Sequence, residues 1–363
     1  MLTDKSKAKG MPETVAEGFM QDRRSFMRRA AVTGLAFPTV LAASRFSGLA
    51  QDEDDESDGY VGSDASTDAS TGDESPVPGS GPAEFRLYDP VLAAVEAGDK
   101  DITIIGIDAD VMVARNVAYA GWTFDGTIPG RSLRVVEGDM VTFTFTIDDA
   151  ASTAHSVDFH SAKTPPEVNY KTILPGESFS WSFPATTPGC YMYHCGTPPV
   201  LMHIGAGMYG AMIVDPKEGW SPAQEFIFVQ SELYLKEGEN DVMVPDYTLM
   251  TGHGAPTYVV FNGYANQYVD NPIPINVGEL VRVFVMNAGP NVWSSFHVVG
   301  AIFDRAYVNA HPRNELFGLQ SISIGPGDGV CVEFMVEEPG SYIAVNHAFG
   351  HASQGAIAIF EAS

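Results

Sequence analysis

The sequence predicts an all-β protein of two tandem sandwich-like or barrel-like domains, and two observations carry that prediction. Short runs rich in Val, Ile, Phe and Thr, at 102–107, 133–136, 140–147, 179–183, 191–194 and 212–214, are separated by Gly, Pro and Asp. No long helical period interrupts them, and many short strands with frequent turn signals make a sandwich or barrel. The second observation is an internal repeat. Val-Val-Glu-Gly-Asp-Met-Val at 135–141 matches Ile-Asn-Val-Gly-Glu-Leu-Val at 275–281, and Pro-Gly-Glu at 175–177 matches Pro-Gly-Asp at 326–328. Thirteen residues further along each copy, Pro-Gly-Cys-Tyr at 188–191 matches Pro-Gly-Ser-Tyr at 339–342. The equal interval fixes the register and gives domains over 101–216 and 222–363.

Ahead of the first domain the composition changes twice. Residues 22–28 read Asp-Arg-Arg-Ser-Phe-Met-Arg and lead into an apolar run over 30–43. Paired Arg23 and Arg24, the aromatic Phe26 and the modest hydrophobic stretch resemble a twin-arginine export signal, with Gly48 and Ala50 placed for cleavage near Gln51. The alternatives are an amphipathic helix or an uncleaved anchor; the run is too short and too rich in Ala, Gly and Thr for a membrane span. Residues 1–50 are therefore expected to be a signal peptide that sends the protein out of the cytoplasm. Residues 51–100 are expected to be an acidic, disordered tether and lead-in, since the stretch to about 83 has almost no apolar surface to offset ordering entropy.

The formal net charge is −26, and beyond residue 50 the chain sets 12 Lys/Arg against 42 Asp/Glu. A surface so negative repels nucleic acid and anionic membranes, and it suits a halophilic protein kept soluble in high salt. Three cysteines, Cys190, Cys195 and Cys331, make no disulfide framework. Cys190 and Cys331 read as buried thiols.

Cys195 has different company. It lies in Tyr-His-Cys-Gly at 193–196, with His203 and Met208 downstream and His155 upstream in Ala-His-Ser-Val-Asp-Phe-His at 154–160. One thiolate, two imidazoles and a weak thioether are the ligands of a type 1, or blue, copper site. Met202 and Met212 compete with Met208 by position. Successive side chains on a strand face opposite ways, so His194 turns away from a metal at Cys195. His155 and His160 are five apart and would also part on an extended strand, which sets His160 beside His194 at a second copper.

Two imidazoles do not close such a site. The second domain offers His253, His297, His311, His347 and His351. His347 follows Asn346, which stands at the repeat position of Cys195, so this domain has lost any type 1 site and keeps a histidine at an edge suited to reach across an interface. His297 falls at roughly the repeat position of His155, an imidazole without a copper partner and free for proton transfer.

From about residue 100 onward the chain resembles the two-domain copper-containing nitrite reductases, trimeric enzymes of two Greek-key cupredoxin domains. The resemblance implies type 1 copper on His155, Cys195, His203 and Met208. It implies type 2 copper on His160 and His194 of one subunit and His347 of its neighbour. Asp158 and His297 match the family's catalytic pair, Val299 the aliphatic wall of the nitrite pocket, and Ser321 the hydroxyl that orients the catalytic histidine. Two departures stand out: the span from Cys195 to His203 is one residue shorter than in the better-known members, and Val299 replaces the usual isoleucine.

The implied reaction is one-electron reduction of nitrite to nitric oxide in a homotrimer. The electron would come from an external small blue-copper protein or c-type cytochrome and cross from Cys195 to His194, and the acidic balance makes a haloarchaeal type the expected branch. Two other readings compete. A multicopper oxidase builds its trinuclear cluster mostly from His-X-His pairs, and the nine histidines here include none. An exported blue-copper electron carrier would account for the type 1 set and leave the remaining histidines unused.

Overall fold

The computed structural model describes residues 83–363. The expected signal peptide and most of the expected tether lie outside the described residues.

Period-two alternation builds the sheets. In β4 (Met140–Ile147) Val141, Phe143, Phe145 and Ile147 are buried. The intervening Thr142, Thr144 and Thr146 meet Ser182, Ser180 and Ser178 of the neighbouring strand through hydroxyl–hydroxyl bonds on the outer face. One apolar face and one hydroxyl face is the signature of a half-buried antiparallel pair.

The first half also contains β1 (Lys100–Ala114), β2 (Val117–Phe124), β3 (Leu133–Val136), β5 (Asp158–Phe159), β6 (Ser178–Pro184), β7 (Gly189–His194) and β8 (Tyr209–Asp215). The second half runs through β9 (Gln224–Leu233), β10 (Leu235–Glu237), β11 (Val242–Pro245), β12 (Tyr258–Phe261), β13 (Asn271–Ile275), β14 (Val281–Gly289), β15 (Ser294–Val299), β16 (Phe303–Val308), β17 (Glu315–Leu319), β18 (Ile322–Ile324), β19 (Gly329–Phe334), β20 (Gly340–Asn346) and β21 (Ile357–Ala362).

The sheet orders show the repeat in three dimensions. One pair of sheets is β10-β11-β2-β1-β4-β6 with β3-β8-β7-β5; the other is β12-β9-β14-β19-β16-β17 with β13-β21-β20-β15-β18. The series β2-β1-β4-β6 thus corresponds to β12-β9-β14-β19, and β3-β8-β7-β5 to β13-β21-β20-β15. Parallel pairs recur at the same places: β1 with β4 as β9 with β14, and β3 with β8 as β13 with β21. This is the all-β, two-part sandwich architecture the sequence predicts.

Two connections cross between the halves. The hairpin β10–β11 comes from beyond residue 222 yet joins the first sheet, with Val242 beside Ala118 of β2. The lead-in ahead of β1 is packed against both halves: Tyr88 Oη meets Ser132 Oγ at 2.9 Å, Leu92 N–H donates to the Glu225 carbonyl, and Val91 bridges Phe226. Each half has its own apolar core, and a third buried cluster unites β7 and β8 with β9, β14 and β19. Cys190 and Cys331 lie in that third cluster as buried thiols.

Pairing register corrects one expectation. Asp158 sits opposite His194, and His297 sits opposite Val345, which is the repeat equivalent of His194. His297 is therefore the counterpart of Asp158, three residues away from the expected match; the counterpart of His155 is Ser294. The match to His155 rested on motif likeness alone, and a register slip in a strand is invisible to it.

Candidate metal centres

The first cluster gathers at the open end of β7. Cys195 immediately follows that strand; its N–H donates to the Met208 carbonyl at 3.1 Å, which returns the chain beside it. The short helix Val200–Gly205 carries His203, and a single bridge to Ile173 holds His155. His155 Nδ1 and His203 Nδ1 face each other at 3.1 Å, and the Cys195 sulfur lies 3.3 Å from His203 Nδ1 and 3.9 Å from His155 Nδ1. All three residues are buried.

Electrostatics suit a cation there. Burial and the facing His203 push His155 down to about 3, and burial pushes His203 down to about 4, so both rings are neutral with lone pairs available at neutral pH. Burial raises the Cys195 thiol, while N–H donation from Ser156, at 3.4 Å, and from Thr197 works the other way. Two imidazole nitrogens and a sulfur turned on one another, with no oxygen partner among them, form a soft donor set that a thiophilic transition metal would satisfy. Met208 is fully buried in the same core cluster as Cys195. Of its competitors, Met212 is engaged elsewhere, with its sulfur accepting from Ser161 Oγ at 3.2 Å.

The second cluster lies one peptide away. His194 Nδ1–H donates to the Cys195 carbonyl at 2.9 Å, which fixes the tautomer and leaves Nε2 free. That Nε2 faces His160 Nε2 at 3.1 Å and the Asp158 carboxylate at 3.9 Å. Desolvation and the opposing His194 hold His160 below its ordinary value, with Asp158 and the Gly327 carbonyl acting in the opposite sense. The sorting of four histidines into two pairs is as predicted, although by a different route. Only Asp158 and Phe159 form a strand, and a turn swings His160 back toward His194, so strict alternation does not run from 155 to 160.

His347 and His297 form a third group, and Val299 lies two residues beyond His297 on β15. The His297 and His347 rings are 5.4 Å apart, edge to face, and Phe349 packs on His347 at 4.7 Å. His347 is exposed, as is Val299 at 45%. His297 Nδ1–H donates to the Gln320 carbonyl, so the hydrogen bond that orients this ring comes from the backbone beside Ser321.

Sequence reasoning missed two neighbours. The Trp122 ring packs 4.6 Å from His203 and 5.6 Å from His155, and nothing in its spacing relates it to the ligands. The Tyr170 hydroxyl donates to the Phe159 carbonyl at 3.0 Å and lies beside Asp158; burial raises it to about 12. Tyr170 sits on a loop ten residues past His160, and only the turn of that loop brings it back.

Two β-sandwich halves carrying a buried Cys-His-His cluster, joined by one peptide link to a His-His-Asp cluster, define a cupredoxin-type metalloprotein. Comparison with known proteins narrows the class. The multicopper oxidase family profile matches residues 108–219. A copper nitrite reductase structure from Nitrosomonas europaea is 37% identical, with TM-score 0.68, over 73% of this chain and 94% of that one. A copper-containing nitrite reductase structure from Thermus scotoductus is 32% identical, with TM-score 0.67, over 74% of this chain and 62% of that one. Copper-containing nitrite reductases of Neisseria meningitidis and Neisseria gonorrhoeae are 40% and 42% identical over 69% and 66% of this chain. The chain spans 65% and 62% of the length of those two Neisseria relatives. The chain belongs to the copper-containing nitrite reductase family.

Proposed function

We propose that this protein is an exported, homotrimeric nitrite reductase that converts nitrite, one electron and two protons into nitric oxide and water. The observation that carries the reading is the single His194–Cys195 peptide link between two metal-competent clusters. His155, Cys195, His203 and Met208 would hold a type 1 copper, and His160 and His194 with a neighbouring copy's His347 a type 2 copper. Copper in these sites supplies one-electron storage at the first and Lewis-acid and redox chemistry at the second.

The chain's own residues do the rest. The Cys195–His194 backbone is the shortest covalent path between the clusters. Asp158, 3.9 Å from His194 Nε2, is placed to hydrogen-bond the substrate oxygen and relay a proton to it. His297, locked through Nδ1 to the Gln320 carbonyl, keeps Nε2 as its working atom. Because His297 packs on His347, both come from the same neighbouring copy, so trimer assembly completes the ligand set and the proton-handling pair together. Val299 would wall the substrate pocket, and an external small blue-copper protein or c-type cytochrome would deliver the electron. A carrier role alone would leave the Asp158–His160–His194 cluster without use.

The test is nitric oxide production by copper-loaded protein in high salt, with nitrite and an artificial one-electron reductant, beside His160→Ala. Nitric oxide from the parent and none from a still-coloured His160→Ala protein is the expected result. A coloured parent that makes none overturns the reading.

A further inference from the structure

The first half holds its cysteine sulfur in a cradle of two backbone N–H groups, from Ser156 and Thr197. The second half keeps that cradle and fills it differently. Asn346 Oδ1 accepts from Ser295 N–H at 3.0 Å and Ala348 N–H at 3.1 Å, and those residues are the repeat counterparts of Ser156 and Thr197. Backbone bonds confirm the correspondence: Cys195 N–H to the Met208 carbonyl recurs as Asn346 N–H to Ala356, and Met208 N–H to His203 recurs as Ala356 N–H to His351. Ser294, Asn346, His351 and Ala356 thus stand where the first half has His155, Cys195, His203 and Met208.

The emptied site has become an anchor. The Asn346 amide donates to Gln230 Oε1 at 3.1 Å and the Trp293 carbonyl at 3.3 Å, and lies 3.1 Å from His351 Nδ1. Asn346 is fully buried, so every one of these bonds is made out of water. The side chain ties β15, which carries His297, to the backbone on both sides of His347; His347 N–H itself donates to the Ser295 carbonyl at 2.7 Å. We infer that Asn346 is a positioning residue: in place of the lost thiolate, its carboxamide fixes His347 against His297 so that both reach the neighbouring copy in one geometry. The inference rests on the reading of His347 as a type 2 ligand.

The experiment compares Asn346→Ala and Asn346→Leu in the full-length, copper-loaded protein. Copper per chain, visible absorption and the electron paramagnetic resonance of the type 2 site are read together. Removing the acceptor, by Ala or by the volume-filling Leu, should weaken type 2 copper roughly 10–100-fold, the range of second-shell losses, and change its hyperfine pattern, with the blue absorption untouched. A merely structural role would lower both coppers together. The inference is overturned if whichever of Ala and Leu folds keeps the parental type 2 signal. His347→Ala serves as the separate control: full type 2 occupancy there would overturn the ligand reading itself.

Discussion

The two halves of this molecule share a strand order, parallel pairs in the same places and one loop geometry, yet they spend the loop differently. In the first half the end of β7 presents sulfur and two imidazole nitrogens within 3.9 Å, with their hydrogen-bonding left open toward one another. In the second half the end of β20 presents a carboxamide whose polar atoms are all engaged. Metal competence therefore lies in side chains laid on a backbone that tolerates either. The second half carries a remnant of the exchange: the buried Ser294 hydroxyl, at the position of His155, has no hydrogen-bond partner. Such a group costs about 1–3 kcal/mol.

The sharpest way to break the comparison is to exchange the residues at the two loop ends. Cys195→Ser should abolish the blue absorption and bring turnover with an external donor to background. Asn346→Cys should create no blue site, because Ser294 and Ala356 supply neither imidazole nor thioether; absorption spectra of both copper-loaded variants check this. A new blue band in Asn346→Cys would show that the halves differ less than their side chains suggest.

Next in size is the pair proposed to handle protons, Asp158 and His297, which the repeat places at equivalent positions in the two halves. Asp158→Asn and His297→Gln should each lower kcat by roughly 10²–10⁴-fold, the span of general acid–base contributions, while the colour persists. Steady-state nitric oxide assays across pH distinguish loss of a proton donor from loss of binding.

A smaller effect separates the halves by pH. His155 and His203 stay neutral in the folded, metal-free protein down to about 3 and about 4, against an ordinary 6.5 in the unfolded chain. Below pH 6.5 the unfolded state binds protons that the folded state refuses. Stability from these rings is fully present above that pH and is lost as pH falls toward 4 and 3. Melting temperatures of the metal-free protein should fall over this window, and His155→Phe should flatten the fall. The smallest effect belongs to Val299→Ile, where one added methylene on a partly exposed wall should change nitrite KM by no more than about tenfold.

Much of this was legible beforehand because two independent periodicities agreed. Alternation marks the strands, and the repeated Pro-Gly turns align the halves. The Cys195, His203 and Met208 order named one cluster, and the pairing of His160 with His194 followed from parity even though a turn, not a strand, achieves it. Register escaped, since His297 differs from the expected match by only three residues and no side-chain pattern marks that slip. Trp122 and Tyr170 escaped as well, because each reaches its cluster from an element distant in sequence. The reuse of the thiolate cradle by Asn346 is a backbone fact, visible only as N–H directions.

The hairpin β10–β11 ties the two halves into one unit. Residues of the second half complete the first sheet along β2, so a chain cut near residue 222 would leave β2 with a bare edge of unpaired N–H and carbonyl groups, open to pairing with other chains. Separation of the halves is therefore a route to aggregation, not to two working domains. The strand that closes the sheet is also what makes the fusion hard to undo.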